Sequence, residues 1–362
     1  MMYTALMQAV QRNCDISDAK DSGLYSLCTL VLKLRNRYKW EKDIQPWDEP
    51  ESADLLDWIE ERENFWDTIS DMVYDSLPID DDTFSPWDSA AVNRRLNKTE
   101  LVYGAGYGRS MKAVFFLAEK IREENVEGCP VVLLGKEKAT DLASPFAMLQ
   151  DEIIYIRRTP LRFFFWDHIQ DIKSSSRTPL HFALDQYGLL ANGKLNQPKM
   201  IKCLDKIVDN EIPIFIYHEV GEMLEKTFDS KTMKRIISNF PHSAVELVAR
   251  SLKDILADTH HLGMINFIIR EKRETSLAFY VGFLDGLRKV LFPEIIEAFP
   301  DFLQSRDWGI IKSASRRCRD KNLKLAEKMC NIAAVIDHQP LPHIQERFNK
   351  EVLIPLGLDA PE

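Results

Sequence analysis

Along the first hundred positions apolar residues recur at three- and four-residue steps, the spacing that lines one face of an α-helix. Leu24, Leu27, Cys28, Val31, Leu34 and Tyr38 predict a helix between Asp18 and Lys39, with Asp15 or Ser17 placed to cap its start. Leu55, Ile59, Trp66, Ile69 and Val73 predict a second helix from about Ala53 to Tyr74. Arg62 interrupts that stripe, and its head group needs a carboxylate partner or an exit to water. The stretch SLPIDDDTFSPWDS then reads as a loop.

From Glu100 to Arg158 the pattern changes. ELVY, PVVLL and EIIYI are short apolar runs that predict strands, GAGYG reads as a turn, and Ser110 to Glu124 reads as a helix, with another short helix before EIIYI. Beyond Pro160 the pattern is helical again, broken by ANGKLNQP and by Pro241, Pro293 and Pro300. The expectation is a mainly α, two-part helical protein with a small β element around residues 100–158. Its parts are residues 1–195, carrying that element, and residues 196–362, all helical.

Charge alters this picture more than composition does. The chain of 362 residues carries a net charge of −9, unevenly spread. Residues 41–90 hold seventeen Asp or Glu against Lys42 and Arg62, whereas residues 306–328 are basic through Arg316, Arg317, Arg319, Lys321 and Lys324. Acidity of that density repels phosphate backbones and argues against general nucleic-acid binding. Either segment offers a face for a protein partner, or the two are simply solvated faces of opposite sign.

No apolar run approaches the roughly 20 residues of a spanning helix, and the N-terminus lacks the basic-then-apolar order of a signal peptide. Six scattered cysteines without a CxxC pair fit free thiols in a reducing compartment. A cytoplasmic protein is expected.

Three groups of residues carry candidate chemistry. Gly104, Gly106 and Gly108 lie between an expected strand and an expected helix, but a dinucleotide loop needs glycine where Arg109 stands, and Gly135-Lys136 is followed by Glu137 rather than Ser or Thr. The glycines therefore read as a tight turn and no cofactor-binding residue is assigned. The second group is a metal site. His218 and Glu222 in YHEVGE, and Asp258 and His261 in ADTHHLG, have the i,i+4 and i,i+3 spacings that set ligands on one helix face, a donor set suited to iron or manganese. Against it, these residues lie opposite the stripes Ile216, Val220, Met223 and Val245, Val248, Leu252, Ile255, so both helices must be buried on two sides for a site to form. Third, Asp167 and His168 follow the aromatic run Phe163 to Trp166, a pattern for an aromatic-lined pocket with a polar end or for core packing.

The segments NCDISDAKDSGLYSLCTLVLKLRNRYKWEKD, ELVYGAGYGRSMKAVFFLAEK and RRTPLRFFFWDHI resemble a bacterial family known only as a domain of unknown function, in N- and C-terminal parts. The resemblance implies a bacterial cytoplasmic origin and carries no activity with it. Two functions follow from the residues: a helical scaffold or partner-binding protein, and a metal-dependent enzyme, an oxidase among the options, using His218, Glu222, Asp258 and His261.

Overall fold

The computed structural model describes residues 3–170, 172 and 176–358. Two compact units divide the chain, one of residues 1–170 with 204–208 and one of residues 171–203 with 209–362.

In the first unit, helix α1 (Thr4–Asp21) is followed by a 3₁₀ turn, and helix α2 (Leu27–Glu41) starts at Ser26, whose side chain accepts from the Thr29 amide. Asp15 and Ser17 are therefore not caps. Both are buried inside α1, where Ser17 donates to the Ala113 carbonyl and Cys14 Sγ to that of Phe115. The stripe expected for α2 is also turned: Leu27 is 76% exposed, while Leu34, Arg37, Tyr38 and Lys39 are buried. Helix α3 (Ser52–Ile69) buries Trp58, Trp66 and Ile69, and Arg62 meets Glu41 at 2.7 Å and Asp15 at 3.5 Å, the carboxylates its position in the seam required. The following acidic loop contains a small hairpin, β1 (Leu77–Ile79) with β2 (Asp82–Phe84), and leads into helix α4 (Ser89–Leu96).

Five strands then form one curled sheet: β3 (Leu101–Tyr107), β4 (Ala113–Val126), β5 (Cys129–Ala139), β6 (Ala147–Gln150) and β7 (Ile153–Arg157), ordered β3-β4-β5-β7-β6. Neighbours are antiparallel except β5 and β7, where Val131 faces Ile154. This β element is substantial rather than small, chiefly because residues 113–126 form a strand where a helix was expected. Both faces of the first half of β4, residues 113–118, are buried. Phe115 and Leu117 pack with α1, whereas Phe116 and Ala118 pack with Val132, Leu134 and Tyr155. A run apolar on both faces loses the alternation that marks a strand. Register shifts between β4 and β5 after Leu117, Ala118 and Lys120 add the twist that curls the sheet.

GAGYG is likewise not a turn but the middle of β3, with Gly104 set under the Phe116 ring, where a Cβ would stand 2.1 Å from ring carbons. A strand there leaves no glycine loop opening a helix. Nor is there a helix between PVVLL and EIIYI, since residues 141–146 form a loop leading into β6. Helix α5 (Arg158–Gln170) closes this part of the chain.

The second unit is helical apart from a two-residue hairpin. Helix α6 (Arg177–Gln186) leads to β8 (Leu190–Ala191) and β9 (Lys194–Leu195), formed by the ANGKLNQP stretch and its approach, and then to helix α7 (Gln197–Leu224). There follow α8 (Ser230–Asn239), α9 (Ala244–Thr259), α10 (Met264–Arg270), α11 (Glu274–Phe283), α12 (Gly286–Leu291), α13 (Pro293–Ser305), α14 (Trp308–Ala333) and α15 (Leu341–Phe348). α14 carries the basic stretch. Arg319 is held by Glu225 at 2.6 Å and Lys321 by Glu294 at 2.8 Å, while Arg316 and Lys324 are exposed. Among the described residues no helix is long and apolar enough to cross a membrane.

Candidate metal centre

Ser243 accepts from the Glu246 amide and so starts α9, whose apolar stripe, Val245, Val248, Leu252 and Ile255, is fully buried. The other side is closed at Ala257 and Asp258, each 0% exposed. α9 is thus buried on two sides, the condition that the spacing of its acidic residues required.

Gly221 of α7 explains how close the helices come. A Cβ on it would lie 2.1 Å from the Ala257 carbonyl oxygen, so glycine is the residue type that lets α7 touch the α9 backbone here. Beside that contact, His218 and Glu222 on α7 face Asp254 and Asp258 on α9.

His218, Glu222 and Asp254 each place a potential ligand atom within 4.8 Å of the others. Two donors about 2.1 Å from one ion are at most about 4.2 Å apart, so the three need to close by roughly half an ångström to share it. Asp258 stands behind them. Its Oδ1 lies 2.7 Å from His218 Nδ1, leaving Nε2 as the ring nitrogen available to an ion, and its Oδ2 accepts from Tyr280 at 2.9 Å and Arg288 at 2.6 Å. A carboxylate holding the far nitrogen of a histidine fixes the ring and raises its basicity, the support that metal-bound histidines usually have. Glu222 also accepts from Lys253 at 2.5 Å through one oxygen and keeps the other.

Burial and charge work against each other in this cluster. For His218, burial opposes the charged ring, but Asp258 outweighs it and the pKa rises to about 10. Glu219, buried beside them, is pushed up to about 8 by desolvation and by the charge of Glu222. Asp254 is raised mainly by burial. Asp258 goes the other way: burial would raise it, but Arg288 and His218 hold it below the ordinary carboxylate range. The result is a mixed cluster in which the His218 imidazolium, Lys253 and Arg288 balance the carboxylates, and an ion on Nε2 has to displace the ring proton.

The sequence candidates therefore separate. His218, Glu222 and Asp258 come together, with Asp258 behind the ring rather than beside the other two. His261 does not join them. α9 ends at Thr259, so His261 follows the helix in an exposed position with its ring against that of His260, and Asp254 takes the place its spacing suggested. Asp254 and Asp258 are themselves an i,i+4 pair, a signal in the sequence as plain as that of His218 and Glu222. Tyr280, Arg288 and Gly221 had no local signal.

Residues 5–157 match the N-terminal domain, and residues 162–351 the C-terminal domain, of a family of unknown function, DUF6866. The chain belongs to this family. No curated protein and no solved structure matches it. The candidate centre lies wholly within the residues matched by the DUF6866 C-terminal domain.

Proposed function

We propose that the protein is a metal-dependent enzyme whose C-terminal unit holds one divalent ion, of the manganese or ferrous iron class, on His218, Glu222 and Asp254. The observation that carries this reading is the pairing of His218 Nδ1 with buried Asp258, which turns the imidazole toward two carboxylates on facing helices. One nitrogen and two carboxylate oxygens suit such an ion, and three protein ligands leave coordination positions for water or a substrate oxygen. With iron those positions also admit dioxygen, the oxidase form of the reading.

A bacterial cytoplasm fits it, because the described cysteines are free thiols and a reducing compartment keeps ferrous iron available. The test is metal analysis of protein purified without chelator. About one ion per chain is expected in wild type, and an order of magnitude less occupancy in Asp254→Ala and His218→Ala. Full occupancy in both variants contradicts the assignment.

A partner-binding role is a second reading, supported by α3, where Asp54, Asp57, Glu60, Glu61, Glu63 and Asp67 are all exposed. The same acidic surface disfavours nucleic acid as that partner. Here the expected result is salt-sensitive capture of a basic protein, lost when Glu60, Glu61 and Glu63 are changed to Lys.

A further inference from the structure

A second site lies in the N-terminal unit. Between α2 and α5, over the end of β5 and the loop of residues 141–146, is a cavity of about 290 Å³. This is the low end of the range for small-molecule sites, room for one ring and a substituent. Its apolar lining comes from Trp40, Phe146, Phe163 and Phe164. The cavity also accounts for the turned stripe of α2, because Lys33, Asn36 and Arg37 face it while Leu27 and Val31 are exposed. Asp167, which follows the aromatic run, lines it too.

The hydrogen-bond balance of the lining defines what it takes. All three carboxylates there have both oxygens engaged. Glu137 accepts from Arg157 at 2.6 and 2.8 Å, Asp167 from Arg35 and Asn36 at 2.7 Å each, and Asp141 from the Ser144 amide at 2.7 Å and the Phe115 amide at 3.3 Å. Donors are in surplus. Arg37, 5% exposed, binds the Thr140 carbonyl and Asp15 through its two terminal nitrogens and lies over the Trp40 ring at 4.6 Å, with its Nε closed off from the cavity. Lys33 gives two of its three N–H groups to the Leu142 and Ala143 carbonyls, at 2.9 and 3.3 Å. An unmatched buried donor costs free energy that a ligand oxygen recovers. A cavity with aromatic walls, satisfied carboxylates and one unmatched ammonium N–H selects an aromatic molecule bearing an acceptor group.

We infer that this cavity is a binding site for a single-ring aromatic carboxylate, its ring against Phe163 and its carboxylate toward Lys33. The ligand class follows from the donor surplus and the site is separate from the metal centre, so it stands or falls independently of that assignment.

Calorimetric titration of the full chain with benzoate, benzamide and benzylamine tests it. Benzoate should bind saturably and more tightly than benzamide, and benzylamine, a cation, should not bind. Ala143→Leu fills the cavity and should abolish benzoate binding without lowering the melting temperature. Lys33→Met, which removes the ammonium that keeps one N–H for a ligand, should weaken it about tenfold, the value of one charge-assisted hydrogen bond. Absence of saturable benzoate binding at millimolar concentration, binding of benzylamine as tight as that of benzoate, or unchanged binding in Ala143→Leu would overturn the proposal. If Lys33→Met fails to fold, the Ala143→Leu result decides.

Discussion

Lys112 and Asp18 are both closed off from water, at 2% and 1% exposure, and lie 2.9 Å apart. Each charge is tolerable in the fold because the other is there. Lys112→Met should cost about 3–5 kcal/mol in urea unfolding, the usual penalty for stranding a buried charge, and adding Asp18→Asn should recover most of it. A single variant as stable as wild type would show that the pair is hydrated in solution.

Glu211 provides a test by pH. It is 1% exposed, and burial raises its carboxyl pKa despite bonds from Ser276 and Tyr187. The sign follows from linkage. Above the ordinary glutamate pKa the unfolded chain loses this proton while the folded chain keeps it, so stability falls as pH rises through the raised value. Glu211→Gln, which cannot ionise, should therefore be more stable than wild type at neutral pH. The two should converge below about pH 4.3, the unperturbed glutamate value. A constant difference across that range would contradict the account.

At the scale of elements, Gly221 controls the approach of α7 to α9. Gly221→Ala places a methyl group against the Ala257 carbonyl, and the helices must separate to admit it. A loss of about 1–3 kcal/mol, typical of overpacking, should accompany loss of the bound metal. Weakened metal binding with unchanged stability would still place the glycine in control of the site; unchanged metal binding would not.

The elements also show what local pattern can and cannot reveal. Helices with one polar face, such as α3, and short runs such as EIIYI were legible because burial on one side, or brevity, leaves a clear signature. β4 was not, since its two faces serve two cores and its apolar residues run together. α2 was misread for the opposite reason. Its polar residues line a cavity, and its leucines at the N-terminal end face water, so polarity there does not report the core.

For the whole molecule, the mainly helical character was readable from periodicity, while the curled sheet was underestimated. The approach of His218, Glu222 and Asp258 to one another was readable in part, because His218 with Glu222, and Asp258 on the facing helix, follow helical spacing. The rest depends on where α9 stops and on contacts from Tyr280 and Arg288, distant in sequence. Those are products of packing. Charge separation between residues 41–90 and 306–328 was equally visible, yet Arg319 and Lys321 proved to be engaged within their own unit.

A bound ion also has a signature beyond its own ligands. Anything that binds the folded state alone stabilises it, by about 2.7 kcal/mol at a hundredfold excess over Kd. Added manganese should therefore slow amide exchange in α7 and α9, whereas the β3 to β7 sheet should not respond. Protection confined to the sheet would place the ion elsewhere.

The most direct measurement is the metal content of the full chain purified without chelator, compared with Asp254→Ala. About one manganese or iron per wild-type chain, lost in the variant while its circular dichroism is unchanged, is the predicted result. A wild-type protein that carries no metal and takes up none from excess manganese or ferrous iron would contradict the account.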